Sequence, residues 1–237
     1  MAVGKHLWAG LGLLAVTGKA DAARPYLGLE AGMSTGDFGT TATSTLYSAV
    51  LSAGVTGEDW DAGASLPFYV LDSEGADTET GLGDLYLRAG RRLLPPTDGG
   101  TSVYGSAALK VPTADEDAGL GTGEPDAGGF LSLRQSLGRW QVSLFGGYTF
   151  LGDPPGEDLD NVVSYGAELY RRLDGAGLFA GVEGRTAAVP GADDPLELYG
   201  GGFRLLPGGR AWTVEGLVGL SDGSPDFGIR TGIVQWF

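Results

Sequence analysis

Apolar and polar residues alternate along most of the chain, with the two-residue period of β-strands. In the run 139–151, Trp140, Val142, Leu144, Gly146, Tyr148 and Phe150 share one face, and Gln141, Ser143, Gly147 and Thr149 share the other. The run 59–71 repeats the pattern, with Trp60, Ala62, Ala64, Leu66, Phe68 and Val70 opposite Asp61, Gly63, Ser65 and Tyr69. Turn residues between such runs give twelve predicted strands: 26–36, 43–56, 59–71, 83–93, 101–112, 126–137, 139–151, 161–173, 177–189, 195–206, 210–220 and 226–237. Most exceed the ~9–11 residues that a tilted strand needs to cross a bilayer.

The ends of these runs point to a membrane. Trp60, Trp140 and Trp212 each open a run just after a turn, and Trp236 nearly closes the chain. Amphipathic rings prefer headgroup depth, so all four are expected in an interface girdle at one rim of a barrel. A tilted strand from Trp140 to Phe150 rises about 25 Å, near the height of the apolar band of such barrels. Connections after even-numbered runs are short, whereas those after odd-numbered runs are mostly longer and acidic. Short periplasmic turns, long extracellular loops and an even strand count agree with both termini on the periplasmic side. The predicted fold is all-β: a transmembrane, antiparallel, up-and-down β-barrel of about twelve strands.

The N-terminus fits export. Lys5 and His6 precede an apolar stretch from Leu7 to Val16, and Ala20–Asp21–Ala22 has the small-residue pattern of a cleavage site. That stretch is shorter than the roughly 20 residues of a spanning helix. A cleaved signal peptide over 1–22 and one barrel domain over 23–237 are therefore expected, in the outer membrane of a Gram-negative type cell. No Cys is present, so disulfides and Cys-linked lipid anchors are excluded.

Charge removes further classes. The net charge is −15, and loss of Lys5, Lys19 and Asp21 with the leader makes it −16. Nucleic acid is excluded as a partner, since affinity there rests on basic groups neutralising phosphates. Because His6 is the sole histidine, a barrel without the leader has none. A Ser–His hydrolase then lacks its base, and zinc lacks its usual ligands, so no enzyme activity, metal or cofactor is expected. Asp115, Asp117 and Glu124 lack the spacing of a calcium loop and read as a solvated, self-repelling surface.

The face opposite the apolar set carries the candidate chemistry. Parity places Glu30, Asp61, Arg88, Lys110, Arg134, Glu168, Glu183, Arg185, Glu215 and Arg230 toward the lumen. Arg or Lys turned to lipid at the midplane would cost roughly 2–4 kcal/mol each. These residues are candidates for lining a pore; the competing reading is a salt-bridge ladder that fills it.

The stretches GLGDLYLRAGRRLL (81–94), LKVPTADEDAGLGTGEPDAG (109–128), GGYTFLGDP (146–154) and SYGAELYRRL (164–173) resemble a family of outer-membrane transporters. That family is named for the meta-cleavage pathway of phenol degradation. The C-terminal GLSDGSPDFGIRTGIVQWF is similar to its last hairpin, so the resemblance covers roughly 81–237. It implies an outer-membrane barrel with a role in solute uptake and fixes no substrate. Phe237, with Ile233 and Ile229 on alternate positions, resembles the terminal aromatic read by the barrel-assembly machinery. The expected partners are outer-membrane lipid, that machinery and a small-molecule solute, aromatic or otherwise apolar. The alternative is a structural or surface-interaction barrel with a plugged lumen.

Overall fold

A computed structural model describes residues 23–237 except Thr41 and Asp98. The expected leader 1–22, with His6, lies outside the described residues. The strands are β1 (Arg24–Gly36), β2 (Ser44–Thr56), β3 (Trp60–Ser73), β4 (Glu79–Leu82), β5 (Leu85–Leu94), β6 (Thr101–Val111) and β7 (Asp126–Leu137). They continue as β8 (Trp140–Phe150), β9 (Val162–Leu173), β10 (Ala176–Arg185), β11 (Leu196–Leu206), β12 (Arg210–Gly219) and β13 (Phe227–Trp236). Each pairs antiparallel with its chain neighbour, except that β4 and β5 share β3. Closure comes from β1, which takes β2 on one edge and β13 on the other, from Tyr26 opposite Trp236 to Thr35 opposite Phe227. The result is a twelve-stranded barrel with one extra strand segment, and closure leaves no lipid-exposed sheet edge around most of its wall.

The outward face is apolar. Leu29, Leu51, Leu131, Leu144 and Phe150 are each more than half exposed. A belt of this kind is far larger than the apolar patches of soluble monomers and suits lipid. Inside, aromatic rings lie over cross-strand glycines. A Cβ on Gly90 would strike Tyr104, one on Gly181 would strike Tyr199, and one on Gly166 would strike Phe145. This packing accounts for part of the unusual glycine content, 44 of 237 residues, because a ring can cross a strand only where the neighbour has no side chain. Gly138 and Gly175 serve turns instead, with φ of 68° and 70° in the tight connections β7–β8 and β9–β10.

The fourth predicted strand, 83–93, is corrected to β5, which starts at Leu85, and it is preceded by the short β4, which was not predicted. β3 pairs Phe68 with Leu82 in β4, then Ser65 with Tyr86 in β5. The register moves by one residue between the pieces, which is a bulge at Gly83–Asp84. Pro67 is its physical cause. The Pro67 carbonyl accepts the Gly83 N–H at 2.8 Å, and in a strand the N–H and C=O of one residue point the same way. The donor that proline lacks is therefore missing on this edge, and the ladder breaks there. The slip also reverses parity, so Leu82 faces out in β4 and Leu87 faces out in β5. The ninth predicted run also shortens: β10 ends at Arg185, because Thr186 begins a turn-rich connection held by Asp194.

Candidate functional site

The lumen is built from the side of each strand opposite the lipid belt. All ten charged residues assigned there by parity lie on that side, half-buried or buried. They form three groups along the barrel axis.

At the turn end, the Arg88 guanidinium pairs with Asp61 at 3.2 Å, and the Tyr104 hydroxyl donates to the same carboxylate. Arg134 stacks over the Tyr104 ring at 5.3 Å. Across the middle, Arg230 meets Glu215 at 2.5 Å, and the Tyr199 hydroxyl donates to Glu168 at 3.3 Å. Glu183 faces Glu197 directly across β10 and β11, and Glu30 sits on β1 beside the strand that carries Arg230. Arg185, at the end of β10, is half-buried on the same wall.

At the loop end, Lys110 is buried between Asp126 at 2.8 Å and Asp84 at 3.8 Å, and its ammonium donates to Thr122 at 2.7 Å. Asp84 also accepts the backbone N–H groups of Thr113 and Ala114, both at 3.0 Å. Thr113 in turn accepts the Leu85 N–H at 2.9 Å. Side chains here continue the β5–β6 pairing past Val111, next to the bulge. They hold the segment 112–125 so that Leu120, only 2% exposed, packs on Tyr69 with Leu46 and Leu71 nearby. Tyr69, Leu46 and Leu71 all face inward, so Leu120 packs on the lumenal wall at the loop end.

Chemically, this lumen can order water, ions and the polar edge of a solute. Acidic groups predominate on the wall from β9 round to β1, where Glu168, Glu183, Glu197, Glu215 and Glu30 face Arg185 and Arg230. Two small cavities lie along it. One, about 30 Å³, borders Tyr26, Asp61, Tyr86 and Arg88; the other, about 60 Å³, borders Glu30, Tyr69, Glu215 and Arg230. At roughly 10–15 Å³ of such volume per water, each takes a few waters and no aromatic ring.

Several expectations change. Trp236 does not join the interface girdle: it is 6% exposed and packs inside with Tyr26 and Ala211. The cause is parity within its own strand, because Arg230 and Trp236 are six residues apart and must share the lumenal face. Trp60, Trp140 and Trp212 are outward and 42–47% exposed. Phe237 is exposed, and its N–H donates to the Pro25 carbonyl at 3.0 Å, tying the chain end to β1. Sequence reasoning passed over Glu197, Asp84, Asp126 and the lumenal tyrosines. Parity was available for all three acids: Asp84 and Asp126 share it with Arg88 and Arg134 in the predicted runs 83–93 and 126–137, and Glu197 alternates with Leu198 in the run 195–206.

A family model described as "Putative MetA-pathway of phenol degradation" matches residues 11–187. The chain belongs to that family. The match includes the early strands, where the motif resemblance was weakest, and stops before β11. Among solved structures, the COG4313 outer membrane channel from Pseudomonas putida F1 superposes with a TM-score of 0.81 at 15% identity, over 92% of this chain and 97% of that one. The KdgM porin gives 0.60 at 8% identity, over 90% and 99% of the two chains. The NanC porin gives 0.56 at 12% identity, over 87% and 98%. At such identities the likeness establishes the barrel fold. No curated protein matches the chain in sequence.

Proposed function

We propose that this family member is an outer-membrane barrel for passive movement of small solutes, aromatic or otherwise apolar ones among them. The observation that carries the reading is the niche at the loop-end mouth. There Tyr69, Leu46 and Leu71 offer an apolar seat beside the charged groups of the lumen, and the seat is filled by a side chain of the protein's own loop. A small apolar solute has the chemistry to take the place of Leu120. The similar folds of a channel and two porins support passive transport. The leader expected from the sequence, the terminal Phe237 and the lipid belt support export and outer-membrane assembly.

In purified protein reconstituted into vesicles, Leu120→Ala should admit a small neutral aromatic solute severalfold faster than the parent barrel. Equal rates would remove the niche from the solute path. A second reading, a structural barrel with a filled lumen, is favoured by the Arg88–Asp61 and Arg230–Glu215 pairs and by the few-water cavities. A filled lumen passes neither solute nor current.

A further inference from the structure

The two rims of the barrel differ in charge more than their loops require. The loop-end segments 37–43, 74–78, 112–125, 151–161, 186–195 and 220–226 contain no Lys or Arg. The turn end is rich in arginine, and part of it is organised by the sheet. Each outward girdle tryptophan has an arginine as its direct cross-strand partner: Trp60 with Arg91, Trp140 with Arg171, and Trp212 with Arg204. At one of these pairs the guanidinium stacks 5.0 Å from the ring centre, Arg171 over Trp140.

All three arginines are exposed on the lipid-facing side, and among the described residues none forms a salt bridge. Leucine follows each two residues nearer the turn on the same outward face, as Leu93, Leu173 and Leu206. The guanidiniums therefore sit within the apolar belt rather than beyond it, where a charge without a counter-ion is costly in a depth-dependent way. A tryptophan beside them marks headgroup depth. The anion available at that depth is the phosphate of a lipid headgroup, which the planar guanidinium fork can bind in a bidentate manner.

We infer that the three tryptophan–arginine pairs form a ring of docking sites for anionic phospholipid headgroups in the leaflet at the turn end. The ring holds the barrel at a fixed depth. The inference rests on the membrane-spanning reading above.

Tryptophan quenching by brominated lipids tests it, using vesicles of phosphatidylcholine carrying either brominated phosphatidylglycerol or brominated phosphatidylcholine. The expected result is preferential quenching by phosphatidylglycerol, roughly fivefold enriched beside the tryptophans on the basis of about one headgroup contact per arginine. The preference should fall as salt rises and vanish in the Arg91→Gln, Arg171→Gln, Arg204→Gln triple variant. Equal quenching by the two lipids in the parent protein would overturn the inference, as would a preference that survives the triple variant. The salt series needs no variant, so it decides the matter if the triple variant does not fold; a preference indifferent to salt counts against the headgroup contact. Failure of the membrane reading looks different, because a barrel that does not insert is quenched by neither lipid.

Discussion

The wall from β7 to β13 and the wall from β3 to β6 solve the same problem in different ways. From β7 onward each strand keeps one register with its neighbour, so backbone groups satisfy one another and side chains are free to alternate between lipid and lumen. Between β3 and β6 the ladder breaks at Pro67, and beside the break the side chains of Asp84, Lys110 and Thr113 tie the start of β5 to the segment after β6. Stability is thus spread over many backbone bonds in one wall and concentrated in a few polar atoms in the other. The concentrated wall is also the one on which Leu120 packs.

The sharpest way to break this contrast is at Asp84. Asp84→Ala removes the acceptor of two backbone N–H groups and one of the two carboxylates around a buried ammonium. Breaking a buried pair from one side costs about 3–5 kcal/mol. The expected outcome is a large drop in the urea midpoint of the folded, heat-modifiable barrel, together with proteolytic access to the segment 112–125. A change no greater than that of Ser143→Ala in the regular wall would show that the polar cluster is not what holds the segment 112–125 to β5.

A smaller effect is expected in the regular wall at the lumenal arginines. Replacing Arg134 and Arg230 with Gln should shift the reversal potential in a salt gradient further toward cation preference, since Glu168, Glu183, Glu197 and Glu215 remain. Loss of the Arg230–Glu215 pair should cost about 1–3 kcal/mol in stability, because the pair is only partly withdrawn from water. An unchanged reversal potential in a conducting barrel would place both residues away from the ion path. Collapse of the barrel would make them structural partners of the carboxylates and favour the filled-lumen reading.

The same contrast explains what could be read from the chain. In the regular wall, period-two alternation predicted β7, β8 and β9 within a residue at each end, and it placed Arg134, Glu168 and Glu183 on the lumenal side. In the broken wall it failed locally. The bulge at Gly83–Asp84 reverses parity, so a single alternating template cannot run through 79–94, and the four residues Glu79–Leu82 went unnoticed as a strand. Leu120 was legible only as the one large apolar side chain in the loop 112–125. Its burial depends on where Lys110, Asp84 and Asp126 meet, and that meeting is a tertiary event with no local signature. Trp236 shows the opposite fault: its own strand carried the parity that places it inside, and its tryptophan character outweighed that signal.

Single-channel recording in planar bilayers tests passive transport most directly. The purified, heat-modifiable barrel should give steady ohmic current steps with cation preference, and Leu120→Ala should raise their size or open time by clearing the lumenal seat beside Tyr69. Electrically silent bilayers, from protein shown by tryptophan quenching to be inserted, would contradict a channel and leave a structural barrel with a filled lumen.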